Sequence, residues 1–180
     1  MKIGIFGPVY LKVDMQLAEG SFNKHGPNTA NYAVSKYTGS CLALAEHFGK
    51  SAEVFLLTSV GTAGAPHVLH VLNHIEGVDT TFVGLQPNGI GVDLNQYDGV
   101  NHEIFVHPDL SACVDSMKEH EDELFARMDA LILCDHPKEN GKVRRLCKKH
   151  HIPVIEINSA YSPYESCIEY VEGILKEVVK

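Results

Sequence analysis

The chain has 180 residues, of which 44% are hydrophobic and 21% charged, a composition typical of a globular domain with one core. Its formal net charge of -8 at pH 7 argues against a nucleic-acid-binding protein, which would carry a basic face. The sequence has no apolar run long enough to cross a membrane, and its five scattered cysteines form no C-x-x-C pair. These features predict a cytoplasmic protein with reduced cysteines.

Short apolar runs alternate with helical patterns along the chain, as in an α/β fold. Buried strands are predicted at "KIGIF" (2–6), "EVFLLTSV" (53–60), "ALILC" (130–134) and "PVIEI" (153–157). Helices are predicted over 65–77, 137–151 and the final segment, where Ser162 and Glu165 form a capping-box pair. The last helix looks complete, so we expect the chain to end on a finished element.

The middle of the chain has a different pattern. "DTTFVGL", "GVDLNQY" and "HEIFV" are short alternating segments separated by Asn-Gly and Asp-Gly, which are hairpin signals. They predict a small antiparallel flap beside the parallel sheet.

The order of these pieces resembles the ribokinase, or PfkB, family of carbohydrate and nucleoside kinases. "GPNTANYA" (26–33) is similar to the first signature of that family, and "GVDLNQYDGVNHEIFV" (91–106) to its lid hairpin. "LILCDHPKENGKVRRLCKKHHIPVIEINSA" (131–160) resembles a strand ending in an acid, then a helix, then a strand ending in Asn. On this resemblance, "HGPNTANYAVSKYTG" is interpreted as a loop leading into a helix, with an insertion around residues 34–44.

The resemblance implies a single truncated domain over 1–180: a three-layer α/β ribokinase-like (Rossmann-like) parallel sheet. A small antiparallel β lid is expected from segments at about 10–22 and 83–106. Only the substrate-side portion of the family is matched.

The chain departs from the family pattern in two places that bear on function, the substrate end and the catalytic turn. The family places an Asp that binds sugar hydroxyls where this chain has Lys12, with Asp14 two residues further on the same face of a strand. The second Gly of the first signature is Pro27, which lacks an N–H donor. The Gly-Ala-Gly-Asp turn, which supplies an anion hole and a base in the family, does not occur in the sequence. We therefore expect no catalytic residues in this chain.

Candidate substrate-binding residues follow from the resemblance and from positions at strand ends. They are Lys12, Asp14, Gly26, Asn28, Asn31, Asp135 and Asn158. For Asp135 the alternative role is a helix cap, and for Asn158 a loop hydrogen bond.

Two other groups of residues favour structural roles. His67, His70 and His74 share a helix face without an acidic partner, so a solvated face is favoured over a metal site. Cys134 has only His136 near it in sequence and is interpreted as a buried core thiol.

The favoured hypothesis is a kinase-like homologue that binds a sugar or nucleoside without catalysing phosphotransfer alone and without a cofactor. One alternative is a sugar kinase, using ATP and Mg²⁺, whose nucleotide-binding half is another chain. A further alternative is a different small-molecule enzyme or a scaffold protein on the same fold. Exposed lid edges also predict a homodimer formed through the flap.

Overall fold

The computed structural model describes residues 1–19, 23, 28–87, 91–97, 101–106, 109–134, 137–157 and 164–178. Side chains of residues 101–105, 137–138 and 164–166 are outside that description. None of the described helices is long and apolar enough to cross a membrane.

Eleven strands and six helices make up the described parts of the chain. The strands are β1 (Lys2–Phe6), β2 (Tyr10–Leu17), β3 (Ala30–Thr38), β4 (Glu53–Leu57), β5 (Ser59–Gly61), β6 (Val78–Asp79), β7 (Gly84–Gln86), β8 (Gly91–Tyr97), β9 (Asn101–Val106), β10 (Ala130–Cys134) and β11 (Val154–Ile157). The helices are α1 (Ser40–Phe48), α2 (Ala65–Leu72), α3 (Ser111–Glu119), α4 (Glu121–Ala126), α5 (Pro137–Lys149) and α6 (Tyr164–Val178).

A five-stranded parallel sheet in the order β11-β10-β1-β4-β6 forms the centre of the fold. The predicted α/β class with a parallel sheet is confirmed. β1, β4 and β10 are almost wholly buried, because a parallel sheet is covered by helices on both faces. The predicted strand at 53–60 is divided at Thr58: β4 stays in the main sheet, whereas β5 pairs with β7.

Two apolar layers cover the sheet, which gives the expected three-layer arrangement. On one face, side chains of β1 and β4 such as Ile5 and Leu56 pack with α1, α2 and α6. On the other face, Phe6 and Phe55 pack with α3, α4 and α5.

A separate four-stranded sheet, here called the lid, has the order β3-β2-β8-β9. The β2–β3 and β8–β9 pairs are antiparallel, and a parallel β2–β8 pair joins them. The expected small β lid is therefore present, and its two halves come from segments about 80 residues apart, as the pairing of Asp14 with Asn95 illustrates.

Several predicted local structures differ from the observed ones. Residues 30–38 form lid strand β3 and not a helix; the helix α1 begins at Ser40. Gly84–Gln86 lies in the β5–β7 pair and outside the lid sheet. Helix α2 ends at Leu72, because Asn73 caps it before the predicted end at Gly77. Ser162 of the predicted capping box is outside the described residues.

Candidate functional site

The carboxyl ends of the central strands meet the base of the lid. β1 ends at Phe6, and the N–H of Gly7 donates to the carbonyl of Leu57 at the end of β4, at 3.1 Å. Three residues separate the end of β1 from Tyr10, where β2 begins. Because open α/β sheets bind ligands outside the carboxyl ends of their strands, this edge is the place to look for a site.

Close packing of backbone holds the lid at this edge. Gly39, between β3 and α1, has a φ of 138°, and a Cβ there would lie 2.2 Å from the carbonyl oxygen of Pro8. Only glycine fits such a conformation and such an approach. Cys41 Sγ donates to the same carbonyl at 2.9 Å. The turn after β1 and the turn before α1 are thus joined directly.

One face of the lid is polar. In the register of β2 with β8, Lys12 is opposite Asp93 and Asp14 is opposite Asn95. Residues directly opposite one another share a face, so these four side chains lie together. Asn95 Nδ2 donates to Asp14 Oδ1 at 2.9 Å, and Lys12 Nζ lies 3.8 Å from the same oxygen. Lys12 and Asp14, both predicted site residues, are therefore brought together.

Alternation along β8 shows which face is shielded. Asp93 and Asn95 are each only 7% exposed, whereas Val92 and Leu94 between them are partly exposed. This reverses the usual pattern, in which the apolar side chains of a lone sheet are the buried ones. Two polar side chains are thus shielded from water on this face, where their polar atoms need partners.

Buried polar atoms without partners occur after the central strands and on the lid. Among the described residues, Thr58 Oγ1, both amide atoms of Gln86, Asp93 Oδ1 and Asn140 Oδ1 are buried and make no hydrogen bond. Thr58 follows β4, Gln86 lies beyond it in the β5–β7 pair, and Asn140 is in the first turn of α5, just after β10. Buried polar groups in proteins are nearly always hydrogen-bonded, so each of these exceptions needs an explanation.

Glu139 belongs to the same turn of α5 but is paired. Its Oε2 lies 2.7 Å from Lys142 Nζ, and its side chain is 8% exposed. That contact holds the pKa of Lys142 above its ordinary value, chiefly through the hydrogen bond to Glu139.

Two tyrosines stand at the outer end of the polar lid face. Tyr32 of β3 and Tyr97 of β8 are both opposite Gln16, and they are 61% and 38% exposed. Exposed aromatic rings next to a polar stripe are suited to contact a flat ligand surface.

The other predicted site residues lie elsewhere or outside the described parts. Asn28 Nδ2 donates to Gln96 Oε1 at 3.3 Å, and Gln96 is on the lid face opposite to that of Asp93. Asn31 is exposed and is the extra residue of a β-bulge in β3. Gly26, Asp135 and Asn158 are outside the described residues.

Asp93, Gln86, Thr58 and Asn140 were not predicted from the sequence. The one available signal was the polar alternation of "GVDLNQY", which was interpreted as hairpin chemistry alone.

The histidines and cysteines have structural surroundings. His70 and His74 have ring centroids 4.4 Å apart, and His74 Nδ1 is 2.6 Å from the carbonyl oxygen of His70. No group of three metal-ligating side chains occurs among the described residues. All five cysteines are buried thiols, and burial raises the pKa of Cys147 to about 12.

Several solved structures with the same architecture are sugar or nucleoside kinases. The Arabidopsis thaliana ribokinase complexed with ribose and ATP matches 86% of this chain with a TM-score of 0.66 and 16% identity, over 52% of its own length. The Burkholderia thailandensis nucleoside kinase in complex with inosine matches 86% of this chain (TM-score 0.62, 17% identity), over 51% of its own length. A carbohydrate kinase from Agrobacterium tumefaciens gives a TM-score of 0.63 at 13% identity, covering 86% of this chain and 52% of its own.

The chain has the ribokinase-like fold. It spans about half the length of these kinases. No protein-family model and no curated protein sequence matches it. The ribokinase-like fold thus rests on structure, and the identities of 13–17% leave substrate and activity to be argued from the site itself.

Proposed function

We propose that this protein binds a small polyhydroxylated molecule, a sugar or a nucleoside, between the polar lid face and the carboxyl edge of the main sheet. We also propose that the chain alone does not transfer phosphate. The observation that carries the proposal is that buried polar atoms without partners occur both on the lid, at Asp93, and on segments that follow strands of the main sheet, at Thr58, Gln86 and Asn140.

The chemistry of these groups suits hydroxyl-bearing ligands. A carboxylate such as Asp93 only accepts hydrogen bonds, the ammonium of Lys12 only donates them, and the amides of Gln86 and Asn140 do both. A hydroxyl group is donor and acceptor at once, so several hydroxyls on one small ring can satisfy this mixture. Each buried group left without a partner costs about 1–3 kcal/mol, which gives a ligand that satisfies it a corresponding advantage.

Ligands of the structurally similar kinases support this class. One of those proteins was solved with ribose and ATP and another with inosine. Tyr32 and Tyr97, exposed on the same lid face, are placed where a sugar ring or a base could lie against them.

The proposal that the isolated chain does not transfer phosphate rests on the groups that phosphoryl transfer requires. Phosphoryl transfer needs a positioned anion hole and a base on the attacking hydroxyl. The sequence contains no Gly-Ala-Gly-Asp turn, no G-x-x-x-x-G-K-[ST] loop and no G-x-G-x-x-G fingerprint.

The test is a ligand panel measured by thermal unfolding. Ribose, fructose, inosine and adenosine are titrated separately, with ATP plus Mg²⁺ as a further arm. A ligand of the native state raises the melting temperature. A shift with a sugar or nucleoside, and no sugar phosphate formed with ATP and Mg²⁺, is the expected result. A flat panel would contradict binding, and phosphorylated product would contradict the non-catalytic part.

A second candidate function is a sugar kinase completed by another chain. Two observations favour it: the chain covers only about half of the similar kinases, and β11 is an edge strand of the main sheet with no strand on its outer side among the described residues. ATP and Mg²⁺ would then be required. This alternative predicts that ribose is phosphorylated only when a second protein is added.

The lid also supplies a surface for self-association. The face opposite to Asp93 carries Leu11, Val13, Met15, Val92 and Leu94, all partly exposed. An apolar sheet face left partly open to water favours pairing with a second copy. We expect a homodimer by light scattering, converted to monomer by Val13→Asp, whereas Thr62→Asp, at an exposed position outside the lid, leaves it intact.

A further inference from the structure

Asp93 of β8 and Lys12 of β2 lie next to each other on the polar face of the lid. They are directly opposite in the parallel register of β2 and β8, and Asp93 is 7% exposed. Its Oδ1 has no hydrogen-bond partner in the described part of the chain. Lys12 Nζ is directed elsewhere, 3.8 Å from Asp14 Oδ1.

A buried carboxylate oxygen without a partner is costly, because water no longer solvates the charge. Asp14 is the other carboxylate on this face, yet its Oδ1 is already engaged by Asn95 at 2.9 Å as well as by Lys12. Asp93 Oδ1, by contrast, is buried and has no partner among the described residues, so it is the carboxylate oxygen on this face that gains most from a ligand hydroxyl.

The strand register explains how a carboxylate on β8 can take the place of an acid at the Lys12 position of β2. Lys12 stands where the resembled kinases carry their sugar-binding Asp. Adjacent strands lie about 4.8 Å apart and opposite side chains share a face, so Asp93 presents its carboxylate one strand away from that position. Lys12 then contributes a donor where the acid would have been an acceptor.

We propose that Asp93 is the carboxylate that binds ligand hydroxyls in this protein, and that the Lys12–Asp93 pair selects an uncharged polyol. One hydroxyl donates to Asp93 Oδ1 and a neighbouring one accepts from Lys12 Nζ. An anionic group, such as a phosphate or a carboxylate, would meet both Asp93 and Asp14 and be repelled. The inference rests on the ligand-binding function proposed above and names its specificity-determining residues.

The first experiment compares Asp93→Asn with wild type and with Asp122→Asn, which removes an exposed carboxylate on α4. Binding of ribose, fructose, inosine and adenosine is measured by calorimetry, with ribose 5-phosphate as the anionic probe. Loss of a charged acceptor should weaken binding by about tenfold or more, while Asp122→Asn leaves it unchanged. Without ligand, Asp93→Asn should melt at the same or a higher temperature, because an unpaired buried charge has been removed.

The outcomes separate this inference from the proposed function. If wild type binds none of the neutral probes, the proposed function fails and the role of Asp93 fails with it. If wild type binds a neutral probe and Asp93→Asn binds it equally well, only the role of Asp93 is overturned. Tighter binding of ribose 5-phosphate than of ribose would also overturn the selectivity. Asp93→Ser replaces Asp93→Asn if the latter does not fold.

A charge exchange gives the sharper test. Asp93→Lys alone should abolish binding, since it buries a second ammonium beside Lys12. Combining it with Lys12→Asp returns a carboxylate to the same face, one strand away. We expect the double variant to bind within about tenfold of the wild-type affinity, because one imperfect hydrogen bond costs about a factor of ten. No recovery in a double variant that melts normally would contradict an exchangeable pair.

Discussion

The two edges of the main sheet treat their polar groups in opposite ways. At the amino edge, charged side chains are paired with one another. Arg127 Nη2 donates to Glu53 Oε1 at 3.0 Å and to Asp79 Oδ2 at 3.3 Å, and Lys2 Nζ lies 3.2 Å from Glu53 Oε2. At the carboxyl edge Thr58, and on the adjoining lid Asp93, are buried with polar atoms that have no partner in the described part of the chain.

The charged groups at the amino edge stabilise one another. Hydrogen bonds from Lys2 and Arg127 hold the pKa of Glu53 below its ordinary value. Burial alone would raise the pKa of Asp79, yet hydrogen bonds from Thr81 and the charge of Arg127 outweigh it and lower that pKa. Arg127 also lies over the ring of Phe55, 4.7 Å from its centroid.

Buried polar groups therefore have two different effects in this molecule. Paired groups at the amino edge stabilise the fold by themselves, whereas unpaired groups at the carboxyl edge reduce its stability until a ligand satisfies them. Removing a paired group at the amino edge should therefore lower stability, whereas removing an unpaired group at the carboxyl edge should raise it.

The largest effect is expected where the lid joins the carboxyl edge. Gly39→Ala places a Cβ against the Pro8 carbonyl at a φ of 138°, so the turn must move, at a cost of about 3 kcal/mol in the free energy of unfolding. Chemical denaturation followed by circular dichroism measures this change. Gly141→Ala is the control: a Cβ added to this helical glycine would meet nothing within 4 Å, and the change should stabilise by about 0.5–1 kcal/mol. Equal effects of the two substitutions would show that the lid junction is loose.

The next effect tests the paired edge. Arg127→Ala removes a cation shared by Glu53 and Asp79 and stacked on Phe55, leaving two carboxylates close together. The melting temperature should fall, and binding of ribose or inosine should stay as in wild type. Arg145→Ala, at an exposed position of α5, is the matched control and should melt like wild type. A loss of binding in Arg127→Ala without a loss of stability would contradict the division between the edges.

A smaller effect of opposite sign tests the unpaired edge. Thr58→Val keeps the shape of a fully buried side chain but removes a hydroxyl without a partner, and we expect stabilisation by up to about 1 kcal/mol. The same variant should show a smaller ligand-induced rise in melting temperature. Thr62→Val, at an exposed position four residues on, should change neither quantity. Destabilisation by Thr58→Val would indicate that its hydroxyl is satisfied within the protein.

Sequence reasoning located the main sheet because its signal is local. "KIGIF" and "ALILC" are continuous apolar runs, and such runs are what a strand buried on both faces requires. β3 was missed because most of its side chains are exposed, so "ANYAVSKYT" has no apolar alternation to follow. The preceding Gly-Pro-Asn resembled a family signature, and that resemblance favoured a helix.

The candidate site was only partly predictable for a different reason. Lys12 and Asp14 were found by counting along β2, but Asp93 depends on which residues of β8 face them. That parallel register joins segments about 80 residues apart, and a shift of one residue would turn Asp93 to the other face. The unpaired state of Thr58 and Gln86 depends on packing around them and leaves no mark in the sequence.

The smallest expected effect is the pH dependence of the melting temperature, which tests the paired amino edge. Because the pKa of Asp79 is lowered in the folded state, its ionised form contributes stability above the ordinary Asp pKa of about 4, and this contribution is lost as the pH falls through the lower folded value. Asp79→Asn lacks that contribution at every pH. The difference in melting temperature between wild type and Asp79→Asn should therefore be greatest near neutral pH and shrink below about pH 4. Asp122→Asn, which removes an exposed carboxylate on α4, is measured alongside as a control. A wild-type advantage over Asp79→Asn that persists unchanged at about pH 3 would mean that Asp79 stabilises this edge by shape and not by charge.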